Sequence, residues 1–153
     1  MRKTMLDSAI PAGENWLDLD KVAQVAVTSE DPDCPIESAL ILDDASGWRA
    51  GGKGEQTIRL TFDSPQRLRR IWLRFVETEA ERTQEFTLRW RPQGEGGARE
   101  IVRQQWTFSP AGSTTEIEDY NVDLDRVEFL ELTIIPDISR GDSAATLAEW
   151  RMA

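Results

Sequence analysis

The chain contains no histidine and a single cysteine, Cys34. The first absence removes Ser-His-Asp and Cys-His catalysis, histidine-ligated transition metals and the commonest general base near neutral pH. The second removes an intrachain disulfide and any multi-cysteine zinc site. No run of about 18 apolar residues occurs, so no segment reads as a membrane-spanning helix. Behind Arg2 and Lys3 there is no apolar stretch of about 7–15 residues, so the start does not read as a secretory signal. The expected location is the cytoplasm, unless a leader precedes the sequence. Positive charge is scarce: 18 Lys and Arg stand against 28 Asp and Glu, for a net charge of −10. That balance repels nucleic acid and anionic membranes at long range, so neither is an expected partner.

What is present is a globular composition, with 39% hydrophobic and 30% charged residues in 153. Such a chain reads as one domain with one core. We place that domain at residues 21–153, behind an N-terminal extension of residues 1–20 that packs on it or trails from it. Trp16, Leu17 and Leu19 are its expected anchors.

Alternation of apolar and polar residues then dominates. Val22 to Ser29 is a first strand rich in β-branched residues. Ile36 to Leu42 reads as a turn or two of helix after a loop broken by Pro32 and Pro35. Ile58, Leu60 and Phe62 face one way while Thr57, Arg59 and Thr61 face the other. Asp63-Ser64-Pro65 signals a turn. Leu68 to Val76 carries bulk on both faces and is expected at the centre of a sheet. Further strands follow at Phe86–Trp90, Arg99–Phe108, Thr114–Val122, Val127–Ile135 and Ala145–Met152. About eight short strands without a long helix predict an all-β antiparallel sandwich with jelly-roll topology.

Catalytic constellations are hard to assemble from these residues. Gly51-Gly52-Lys53-Gly54 precedes a strand rather than a helix, so it is not a phosphate loop. Glu116 and Glu118 are the nearest approach to a carboxylate pair for glycoside hydrolysis. Strand parity puts both on what reads as an outward, solvated edge, with no cleft implied.

The order of motifs resembles the discoidin family, also called coagulation factor five/eight type C, of galactose-binding-like β-sandwiches. The resemblance rests on Val27-Thr28-Ser29, on Ala39 to Asp44 ahead of Trp48, and on Gln56-Thr57-Ile58-Arg59-Leu60-Thr61-Phe62. Leu68 to Leu73, Phe86 to Trp90 and Ala145 to Trp150 complete it. It implies a non-catalytic recognition module whose ligand loops cluster at one end. Many relatives bind carbohydrate; others bind phospholipid, protein or nucleic acid. Sugar-binding relatives often combine a His with an Arg and an aromatic, and here the His is missing.

Two candidate sites follow. A structural calcium ion prefers six to eight hard oxygen ligands. Asp43, Asp44 and Ser46, with nearby carbonyls, would supply some of them, and the resemblance brings Glu149 to the same corner. The competing reading is that Asp43 and Asp44 cap the helical turn or fold back on the Gly47 bend, while Glu149 pairs with an arginine such as Arg49. A sugar surface would draw on Arg49, Arg82 and Gln84, the last two expected in loops. Sugars also need an aromatic platform. Trp48, Trp72, Trp90 and Trp106 read instead as core, so none is free for that use. The expected function is carbohydrate or small-ligand recognition, with a protein-interaction or assembly module as the alternative.

Overall fold

The alternation at Ile58, Leu60 and Phe62 builds a strand whose apolar side is buried and whose Arg59 is exposed. It does not stop at Phe62. The computed structural model, which describes residue 1, residues 15–44 and residues 46–153, has a continuous strand β3 over Gln56–Val76. A second long strand, β6, covers Thr115–Ile135 and pairs with it antiparallel from end to end. The turn expected at Asp63-Ser64-Pro65 is therefore absent, as is the break expected between Val122 and Val127. In their place the ladder slips three times between Thr61 and Arg70. Such irregularities bend a strand and let it pass from one sheet to another. Pro65 sits where the ladder is interrupted, so its missing N–H breaks no regular pairing.

The β3–β6 ribbon thereby belongs to both layers of a sandwich. Its first layer adds β1 (Ala23–Val27), β4 (Arg82–Pro92) and β5 (Arg99–Phe108), in the order β1-β3-β6-β4-β5. Its second layer adds β8 (Glu149–Met152), which pairs with Ile71–Arg74 of β3. The layers meet through apolar side chains, with Phe75 of the second stacked on Phe86 of the first at 5.3 Å between centroids. A short pair, β2 (Trp48–Arg49) with β7 (Thr146–Leu147), closes one end. The all-β antiparallel sandwich with eight strands is as expected.

Two short helices flank it. α1 (Leu19–Val22) straddles the expected domain boundary and shortens the first strand to Ala23–Val27. Upstream, Leu17 N–H donates to the Met152 carbonyl at 2.8 Å and the Arg70 guanidinium lies over Trp16, so this part of the extension lies on the domain. Residues 2–14 of the expected extension lie outside the described residues. α2 (Glu37–Leu40) is the helical turn expected over Ile36–Leu42. Among the described residues no helix is long and apolar enough to cross a membrane.

Parity fails on the first half of β6. Glu116 was expected outward, yet it is 0% exposed, while Ile117 is the residue that faces solvent. Both faces of Thr115–Val122 are largely polar, so alternation alone does not say which side turns inward.

Candidate functional site

The acidic corner lies just beyond α2, where the last helical carbonyls lack intrahelical donors. Asp43 has a positive φ of 71° and starts the bend. Asp44 folds back on its neighbour, its Oδ1 accepting from the Ser46 amide at 2.9 Å and hydroxyl at 2.6 Å. Those two bonds hold the Asp44 carboxyl below its ordinary range. Gly47 then turns with φ 85°, and a Cβ there would meet the Leu147 carbonyl oxygen at 3.1 Å. This requirement for glycine brings Trp48 into the closed end, where it is 2% exposed and donates its indole N–H to the Ser29 carbonyl. Trp48 is buried, as its reading as a core residue implied.

Glu149 reaches this corner, as the resemblance implied, and brings a cation with it. Residues two apart on a strand share a face, so Arg151 lies beside Glu149 on β8. Both are 1% exposed. The Arg151 guanidinium donates to the carbonyls of Ala39 at 2.8 Å, Ile41 at 3.2 Å and Asp44 at 3.0 Å. It also reaches Glu149 Oε2 at 3.3 Å. The other Glu149 oxygen takes Arg74, at 2.6 Å from its Nη2. Burial draws the Arg151 guanidinium down from its ordinary value, and the charge of Glu149 opposes this; an arginine keeps its charge in a protein.

These contacts do not fit a metal ion at Asp43, Asp44, Ser46 and Glu149. The Glu149 oxygens are committed to two guanidiniums and Asp44 Oδ1 to Ser46. Among the described residues no group of three or more carboxylates, cysteines or histidines converges. Glu149 does pair with arginine, as the competing reading held, but with Arg74 and Arg151 rather than Arg49.

The three residues expected on a ligand surface part company. Arg49 is exposed at the loop end. Arg82 opens strand β4 rather than sitting in a loop and is 2% exposed. Its guanidinium bonds Glu77 at 2.8 Å, the Pro136 carbonyl at 2.8 Å and Gln84 Oε1 at 3.2 Å, above the Phe108 ring. Gln84 is fully buried, its amide donating to Glu116 Oε1 at 3.1 Å. Arg82 and Gln84 are thus interior groups.

Three loops are stitched together around Arg49. Asp31 N–H donates to the Arg49 carbonyl at 2.9 Å, Ala50 to Ala145 at 2.9 Å, and Gly54 to Ser143 at 3.1 Å. Gly51 passes so close to Glu30 that a Cβ would lie 2.9 Å from its carbonyl oxygen. Between the loops lies an open depression of about 570 Å³, walled by Glu30, Asp31, Arg49, Lys53 and Asp142. Arg49 and Lys53 are exposed, and neither makes an ion pair with another described residue. Among the described residues no aromatic ring lines the depression.

No protein-family model and no curated protein matches this sequence. Solved structures do. The family 32 carbohydrate-binding module of C. perfringens NanJ, in complex with galactose, superposes with a TM-score of 0.65 at 14% identity, covering 90% of this chain and 96% of that one. The chain has the galactose-binding-like fold. The family 32 module of AlyQ, in complex with 4,5-unsaturated mannuronic acid, shares this fold at TM-score 0.64 and 15% identity, over 92% of this chain and 98% of that one. A third such module, from a family 31 glycoside hydrolase of Clostridium perfringens, gives TM-score 0.64 and 17% identity over 90% and 93%. The galactose-binding-like sandwich is the architecture that the discoidin-type motifs implied.

Of two buried residues that matter, Arg151 was not singled out from sequence, and Glu116 was named but placed on an outward edge. Arg151 had a signal, because an arginine two residues after Glu149 in an apolar strand must share its face. Glu116 had none beyond its charge.

Proposed function

We propose that this chain is a non-catalytic carbohydrate-binding module whose ligand occupies the loop-end depression, with Arg49 and Lys53 as donors to sugar hydroxyls or carboxylates. The observation that carries this reading is the pair of unengaged cations over an open bowl, in a fold whose solved neighbours include modules bound to galactose and to an unsaturated mannuronic acid. Charge-assisted hydrogen bonds contribute about 1.5–3 kcal/mol each, so losing one weakens binding roughly tenfold or more. Asp31 and Asp142 also line the depression and add acceptors, which suits a ligand rich in both donors and acceptors. A glycan array probed with the whole chain should give positive spots. Calorimetric titration of the best of them should show about tenfold weaker binding for Arg49→Ala and for Lys53→Ala. A blank array, or binding that survives both substitutions, overturns the reading.

A second reading has one observation behind it. Without a ring in the bowl, the stacking contribution to sugar binding is missing. Among the described residues, the Thr115–Val122 half of β6 pairs only with β3, and it exposes Ile117, so it offers an edge for another protein chain. A blank array together with a dimer or larger species in light scattering would favour that reading.

A further inference from the structure

We propose that Arg151 is the resident cation of the acidic corner, so that a side chain does there what a calcium ion would otherwise do. The donor set points that way. Three carbonyl oxygens from α2 and the bend that follows it, those of Ala39, Ile41 and Asp44, converge on a single guanidinium, and the buried carboxylate of Glu149 completes the cage. Neutral carbonyls gathered around one carboxylate are hard oxygen ligands of the kind calcium takes. Here they lie 2.8 to 3.3 Å from nitrogen, the spacing of hydrogen bonds rather than metal bonds.

Local bonds shape the segment after α2, from the Asp44 amide to the Ile41 carbonyl and from Ser46 to Asp44 Oδ1, and Arg151 is what ties its carbonyls to the last strand. Its carbonyls point inward, and only a cation or a multiple donor satisfies several of them at once. A guanidinium presents its donors in a fixed plane, which an ammonium does not. Arg151 arrives from a strand 112 residues away from Ala39, so the contact ties the last strand of the sandwich to the loop that carries Trp48. Asp43 and Asp44 add negative charge that Arg151 feels. The acidic residues of the corner are thus counter-charges to the chain's own cation.

The inference makes calcium useless to the native protein and useful to a variant that lacks the guanidinium. Thermal melts of the whole chain should give the same midpoint in millimolar calcium and in EDTA. Arg151→Ala should melt lower by roughly 5 °C or more in EDTA, and calcium should recover at least half of that loss by binding the vacated oxygens. A native midpoint raised by calcium overturns the proposal, and so does an Arg151→Ala midpoint that calcium leaves unmoved. If Arg151→Ala does not fold in EDTA, folding on addition of calcium supports the proposal and failure with calcium overturns it. A second comparison is independent of metal. Arg151→Lys, which keeps a cation, should lose less than Arg151→Met; equal losses would mean that the stem, and not the charge, holds the corner.

Discussion

Two clusters of ionisable groups in the interior of this sandwich are treated in opposite ways. At the corner below α2, Glu149 is bracketed by Arg74 and Arg151, and the two terminal nitrogens of Arg151 also meet carbonyl oxygens, while its Nε is buried without a partner. Between the layers, Glu116 receives one hydrogen bond, from Gln84, and is otherwise left with Glu118 and Tyr120. Glu116 Oε2, Glu118 Oε2, Tyr120 OH and Trp106 Nε1 are all buried without a partner. A buried charge persists only with a partner of opposite sign; otherwise the group takes up or gives away a proton. Glu116 takes that second course. Burial, then the neighbouring Glu118 carboxylate, push its carboxyl up to about 9, against the pull of Gln84 and Arg82. Tyr120 is pushed up as well, by burial and then by the same two carboxylates. The corner is held by ion pairing; the pocket is held by a proton.

The sharpest way to break this contrast is to neutralise the corner. Glu149→Gln keeps shape and volume but leaves Arg74 and Arg151 without their carboxylate. Removing one partner of a buried ion pair costs about 3–5 kcal/mol. Urea unfolding should register that loss through a lower midpoint at unchanged slope. A loss near zero would mean that the carbonyl cage alone satisfies Arg151.

Next in size is the proton held by the pocket. Glu116 binds a proton in the folded chain up to about pH 9, while an unfolded glutamate releases it near its ordinary value of about 4.3. Between those limits the native state binds more protons than the unfolded one, so stability falls as pH rises. The slope reaches at most about 1.4 kcal/mol per pH unit for one proton. Glu77 and Asp44 act in the opposite sense. Burial raises the Glu77 carboxyl, but its bond to Arg82 and the Glu79 amide outweigh this, and its contribution is lost as pH falls. Asp44, lowered by Ser46, behaves likewise. Urea midpoints should therefore decline from about pH 6 to about pH 8 in the native chain. The decline should flatten in Glu116→Gln, whose amide needs no proton to stay neutral. An unchanged slope in that variant would show that Glu116 is not the titrating group.

The same contrast explains what was legible in the sequence. Ile58, Leu60, Phe62 and the buried Trp48 could be read, because each follows from a local pattern that the fold respects. The bends of β3 and β6 could not, since Pro65 and the positive φ of Arg126 look locally like turns. What carries the two strands past both points is the ladder between distant segments, which is interrupted there and resumes on the far side. The corner was half legible: Glu149 came through the resemblance, but the oxygens that hold Arg151 are backbone atoms and leave no mark in a list of side chains. Arg82 and Gln84 failed as surface residues for a related reason. A polar residue at a strand end reads as exposed unless its buried partners, here Glu77 and Glu116, are known.

Surface ion pairs supply the smallest effect and the control for burial. Arg59 donates to Glu131 at 2.6 Å and lies over the Phe129 ring at 5.0 Å, geometry as good as anything at the corner. Yet the Arg59 side chain is 52% exposed. Water and salt screen such a pair, and exposed pairs contribute about 0.2–1 kcal/mol. Arg59→Gln should therefore lower the urea midpoint only slightly, and the difference should shrink further in molar salt. Were this loss to match that of Glu149→Gln, the distinction between a buried pair and an exposed one would collapse, and short distance alone would account for both. With burial as the deciding factor, the two variants differ severalfold although the shortest ion pair that each removes has the same length, 2.6 Å.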